Sequence, residues 1–182
     1  MSERLAAELW IGGNLAPHLV DELCAAIAQQ EVSLEWGDAF FRPESAEALL
    51  AAVRPNRDSV RILWLCDDQA RWGEFDSLEP FLQRHEIPFT RLTAGRNEYD
   101  SERVEFRPDH GRVGYVANAA GAPVIAAAKV AEAESALTDV ITSARPRSIK
   151  RLLAAVQSAR GKLRQALPPI VAPLPAFGIA GL

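Results

Sequence analysis

The chain has 182 residues, 48% of them hydrophobic, with 20 Lys+Arg against 24 Asp+Glu and a formal net charge of −4. That composition excludes global disorder, since it provides apolar material for a core. No unbroken apolar run approaches the roughly 18 residues of a membrane span, so no transmembrane helix is expected.

The charge is unevenly spread. Arg145, Arg147, Lys150, Arg151, Arg160, Lys162 and Arg164 fall in the last 39 residues, which hold no acid. An acidic body with a basic C-terminal arm is the expected arrangement. The start, Met1-Ser2-Glu3-Arg4-Leu5, lacks the pattern of a secretory signal,. Cys24 and Cys66 form no disulfide framework and sit among apolar neighbours, which suits buried free thiols and a cytoplasmic protein,.

In chain order, residues 5–11 read as a first strand ended by Gly12-Gly13-Asn14. Pro17 then opens a helix to about Gln30, with Leu19, Leu23, Ala26 and Ile27 at helical spacing,. Residues 32–36 alternate as a half-buried strand does. A helix follows Pro43, with Ala46, Leu49, Leu50 and Val53 on one face, and Arg54-Pro55-Asn56 stops it,. Residues 60–66 carry the strongest strand signal, an apolar run suited to a strand covered on both faces and terminated by Asp67-Asp68,.

Asp76 or Ser77 is placed to cap a helix with Leu78, Phe81 and Leu82 inward,. Residues 87–92 predict a strand that Pro88 assigns to a strand start or edge. Residues 104–107 and 112–116 flank the turn Pro108-Asp109-His110-Gly111 as a hairpin. Two helices follow, at about 126–143 and from Ser148 onward, separated by Pro146. The final stretch from Pro168 is uncharged and proline-rich.

These elements predict an α/β or α+β fold, with a single mixed sheet of about five strands, packing helices and a C-terminal helical appendage. Alternating strands and helices favour parallel pairing early, and the hairpin favours antiparallel pairing later. The expected divisions are a body of residues 1–121, a two-helix appendage of 122–167 and an apolar tail of 168–182. The tail is expected to dock or to form an oligomer contact, since exposed apolar surface associates.

The basic helix is the strongest functional feature. Lys150, Arg151, Lys162 and Arg164, with the loop residue Trp72, are the candidate partner contacts. Two weaker ligand sites are the Gly12-Gly13-Asn14 turn, where glycines suit an anion at a helix start, and Asp67-Asp68 at a presumed strand end. Trp10, Trp36 and Trp64 fall on expected strands and read as core.

His18, His85 and His110 have no metal-ligand spacing, and no catalytic constellation or cofactor motif stands out,. Near Glu98-Tyr99-Asp100 and Glu102, the bases Arg96, Arg103 and Arg107 predict ion pairing. The reading that follows is a non-catalytic binding or adaptor protein. A protein partner or self-association is favoured over nucleic acid, because the acidic body repels a polyanion. The alternatives are a small α/β enzyme or ligand-binding domain, and a nucleic-acid-associated protein with a basic arm.

Overall fold

The computed structural model describes residues 3–95, 100–142, 149–168 and 170–182. The chain divides into two units, Met1–Ala122 with Val171–Leu182, and Pro123–Ile170. Arg96, Glu98, Tyr99, Arg145, Pro146, Arg147 and Ser148 lie outside the described residues.

The first unit begins with β1 (Arg4–Ile11) and β2 (Gly13–Leu15). A single 3-10 turn over Pro17–Leu19 leads into α1 (Val20–Gln30), whose acidic first turn, Asp21 and Glu22, suits the positive end of the helix dipole,. Next come α2 (Ala46–Ala51), β3 (Val53–Pro55), β4 (Arg61–Arg71), α3 (Leu78–Arg84), β5 (Phe89–Thr93), β6 (Ser101–Arg107) and β7 (Gly111–Ala117). The C-terminal segment adds β8 (Phe177–Ile179).

The principal sheet has six strands in the order β3-β4-β1-β5-β6-β7, and every neighbouring pair is antiparallel. An α+β fold with one main sheet is what the sequence implies. Pairing direction differs from the expected early parallel arrangement. β4 and β5 do run the same way and are joined through α3, but β1 lies between them, giving a split β-α-β unit,. A tight turn supplies the other reversal. Asn56 Oδ1 accepts the backbone N–H groups of Asp58 and Val60, folding β3 back onto β4 as a hairpin.

Alternation along β1 separates two faces. Ala7, Leu9 and Ile11 join Leu63, Leu65, Phe89, Val104 and Phe106 in a core closed by Leu23 and Ile27 of α1, Leu49 of α2, and Leu78, Phe81 and Leu82 of α3,. Those side chains recur at helical spacing because each short helix buries one stripe. Ser45 caps α2, its hydroxyl oxygen accepting the N–H of Ala48,. The opposite face carries Glu8, Trp10, Trp64, Arg103, Glu105 and Tyr115 by strand register.

Several local expectations are corrected. Residues 32–36 form no strand beyond one bridge between Ser33 and Cys66. β4 continues through Asp67-Asp68 to Arg71, because β1 pairs with it along that length. Pro88 stands at the start of β5, just before Phe89, as one of its two expected placements has it, and β5 is an interior strand rather than an edge. Trp10 and Trp64 are half-buried outside the core, and Trp36 is exposed in a loop.

The proline-rich C-terminal segment returns to this unit. β8 pairs in parallel with β2, and Leu174, Phe177 and Ile179 are buried. The second unit contains α4 (Ala127–Thr142) and α5 (Ile149–Ala166), which pack together. Among the described residues, no helix is long and apolar enough to cross a membrane.

Candidate functional site

The face of the sheet opposite the core carries a concavity of about 430 Å³. Its wall includes Glu8, Trp10, Arg54, Arg57, Trp64 and Arg103. Trp10 on β1 lies directly across from Trp64 on β4. Both indole N–H groups donate to the same oxygen, Glu8 Oε2, each at 3.0 Å. Glu8 and Trp10 are two residues apart on one strand, so they share a face. The shared acceptor fixes both rings while leaving them half-exposed.

Cationic groups surround the rings. The Arg54 guanidinium lies 3.9 Å from the Trp64 ring centre, and Arg54 also donates to the carbonyl of Leu34. Trp36 meets Trp64 edge-on at 5.9 Å. Arg103 lies 5.8 Å from the Trp10 ring centre and is anchored by Glu105 at 2.8 Å and by the carbonyl of Gly121 at 3.0 Å. Tyr115 donates its hydroxyl to the other oxygen of Glu105 at 2.7 Å, and Arg107 approaches Glu105 at 3.6 Å. Burial and then the Glu105 hydrogen bond raise the Tyr115 phenol, which keeps it a neutral donor,.

The arrangement offers aromatic surface for stacking and guanidinium groups for an anion. Trp10, Trp64, Arg54 and Arg103 sit on strands and are braced by hydrogen bonds, which reduces the ordering cost of binding,. Arg57, in the turn between β3 and β4, is exposed at the rim.

A second polar cluster lies on the core side. Arg91 is fully buried, and its guanidinium meets Glu79 at 3.0 Å, Glu74 at 3.4 Å and Glu102. Glu79 also accepts the N–H of Phe75 at 3.2 Å, and Arg112 reaches Glu79 at 3.7 Å. Burial, stronger here than the attraction of Arg91, pushes the Glu79 carboxyl upward,. The cluster ties α3 to β5, β6 and β7.

The sequence-derived candidates are dispersed. Gly12 and Gly13 donate their N–H groups to Pro88 O and Ala176 O, each at 3.0 Å, so neither amide remains for an anion. Asn14 pairs with Gly178 within β2 and β8. Asp67 Oδ1 accepts the N–H of Gln69 at 2.8 Å, and Asp68 Oδ2 accepts that of Gly37 at 3.1 Å. Both line a groove of about 540 Å³ with Arg4, Arg71 and Cys66.

Burial chiefly, with Asp68 next, pushes the Cys66 thiol up to about 12, which opposes thiolate formation,. His85 packs on Phe81 and faces Glu22 at 3.6 Å. Trp72 is 47% exposed in the turn after β4. Among the described residues, no cluster of three or more His, Cys, Asp or Glu side chains is placed to hold a metal ion.

Lys150, Arg151, Lys162 and Arg164 lie on α5. Lys150 and Arg164 are exposed, Lys162 reaches Glu132 of α4 at 3.9 Å, and the side chain of Arg151 lies outside the described set. Sequence reasoning missed Glu8, Arg54, Arg57 and Arg103 as site residues. The spacing of Glu8 and Trp10 already placed them on one strand face, but the meeting of β1 with β4 and the approach of Arg103 depend on strand order.

No family model matches this chain, and comparison with curated proteins and with solved structures likewise gives no match.

Proposed function

We propose that this chain is a non-catalytic binding or adaptor protein, and that the face of its main sheet opposite the core takes up a planar ring carrying an anionic group. One observation carries the reading: Trp10 and Trp64 are fixed through one oxygen of Glu8 and remain half-exposed beside Arg54, Arg57 and Arg103. Tryptophan and arginine supply much of the energy in protein recognition sites, and a preorganised pair loses little freedom on binding. A ring would stack on the indoles or on the Arg54 plane, and its anion would meet Arg57 and Arg103. The exposed bases of α5 provide a separate adaptor contact in the same reading.

The test uses intrinsic tryptophan fluorescence of the full chain. Phosphotyrosine and adenosine monophosphate serve as ring-bearing anions, with tyrosine and inorganic phosphate as the separate halves. Saturable quenching by a ring-bearing anion, weaker with either half, is the expected result. Trp10→Ala and Arg103→Ala should lose that response while retaining the wild-type far-ultraviolet circular dichroism. No saturable response to either ring-bearing anion would count against the reading.

A further inference from the structure

We infer that a second copy of this chain docks on the α4–α5 pair, forming an all-antiparallel four-helix bundle in which Glu134 of each copy faces Arg160 of the other. This inference concerns the second unit alone and stands apart from the ligand reading of the sheet face.

Each helix has two adjoining apolar stripes, one buried and one exposed. One closes the pair: Ala133 of α4 and Ala159 of α5 are buried, and Lys162 meets Glu132 alongside them. The other remains open. On α5 it contains Ile149, Leu153 and Val156, which are 78%, 56% and 44% exposed. On α4 it contains the exposed Val130 and Leu137. Residues three, four and seven apart share a helix face. Glu132 in the first half of α4 meets Lys162 in the second half of α5, as an antiparallel pair requires, and the open stripes turn the same way from the closed seam. They therefore form one continuous apolar face, the kind that four-helix bundles bury in their core.

Charge selects the occupant and its orientation. Glu134 lies in the open stripe of α4 between Val130 and Leu137, and Arg160 continues the stripe of α5 after Val156. Both are exposed, and neither has an ion pair among the described residues. The Lys162–Glu132 contact sets the register and brings Glu134 about level with Arg160. α5 carries only basic charged residues, whereas α4 carries Glu132, Glu134 and Asp139 against Lys129.

A two-fold axis parallel to the helices lays α4 of one copy across α5 of the other and preserves level, so Glu134 meets Arg160 twice. A perpendicular axis would instead stack α5 on α5, opposing like charges, which is costly at an interface. The interface is isologous, as in most homodimers.

Sedimentation equilibrium of the full chain at micromolar concentration should give twice the mass of one 19.8 kDa chain. Leu153→Glu should give a monomer with unchanged circular dichroism. Glu134→Arg and Arg160→Glu should each weaken the dimer at least ~10-fold. Mixed together, the two single variants should form a heterodimer, because both charge pairs are then restored, one in the native polarity and one reversed. The double variant should regain the homodimer. A monomeric wild type would overturn the inference, as would a dimer insensitive to Leu153→Glu or single variants that fail to pair when mixed.

Discussion

Trp10 and Trp64 stand opposite each other on adjacent antiparallel strands and share one hydrogen-bond acceptor, Oε2 of Glu8. Two bulky rings that would otherwise adopt several rotamers are thereby held in one arrangement on a sheet face outside the core. The carboxylate stabilises the rings and is itself covered by them, so ring placement and local stability depend on the same residue.

Glu8→Ala should therefore release both indoles. The loss of two charge-assisted hydrogen bonds is expected to cost about 1–3 kcal/mol, with water replacing part of the interaction at this half-exposed site. Urea unfolding measures the cost, and the native tryptophan emission should shift to longer wavelength. Unchanged emission would show that packing alone holds the rings.

Arg91 offers a larger effect. Arg91→Met leaves Glu79 buried without its nearest cation, and such a loss typically costs about 3–5 kcal/mol. Adding Glu79→Leu should recover part of that loss, because the double variant removes the stranded charge. Equal urea midpoints for the single and double variants would contradict the coupling.

Glu79 should also give a pH signature. Burial raises its carboxyl above the ordinary 4.5. A carboxyl raised in the folded state lowers stability when ionised, and the penalty disappears as pH falls through the folded value toward the unfolded one. Compared with Glu79→Gln, the wild type should gain stability between neutral pH and 4.5. Urea titrations of both proteins across that range measure the gap; a constant gap would exclude the effect.

At Gly12, a Cβ would fall 2.1 Å from the carbonyl oxygen of Pro175 and 2.9 Å from Leu174 Cγ. Gly12→Ala should consequently displace the C-terminal segment, at a cost of about 1–3 kcal/mol. Hydrogen exchange should rise at Gly13 and Ala180, whose N–H groups bond across β2 and β8. Wild-type protection at both amides would show that the segment accommodates the methyl group.

The thiols should be inert in the folded chain. Cys24 and Cys66 are buried and free, burial raises both, and Cys66 reaches about 12. Iodoacetamide at about pH 8 should modify both after unfolding and neither before it, since the thiolate is the reacting form. Rapid labelling of native Cys66 would place it in a more open setting.

Much of the fold could be deduced locally. The alternation of Leu5, Ala7, Leu9 and Ile11, the stripes of α1 and α3, and the Pro108-Asp109-His110-Gly111 turn each indicate their element through near neighbours in sequence. Period two and period 3.6 follow from backbone geometry, so a strand or helix that buries one side leaves its mark on a few consecutive residues. The basic α5 and the α+β class were accessible for the same reason.

Strand order left no such mark. β1 inserts between β4 and β5, and that long-range pairing brings Glu8 beside Trp64 and, through β5 and β6, carries Arg103 toward Trp10. The tryptophans read as core because hydrophobicity indicates burial without specifying a sheet face. Gly12-Gly13-Asn14 resembled an anion-binding turn, but the carbonyls of Pro88 and Ala176 take the amides of Gly12 and Gly13. The sequence by itself determined most of the longer strands and helices and the buried stripes of the helices, since these arise from local periodicity. Only the tertiary structure decided which carboxylate, cation and ring meet, because those contacts join residues tens of positions apart.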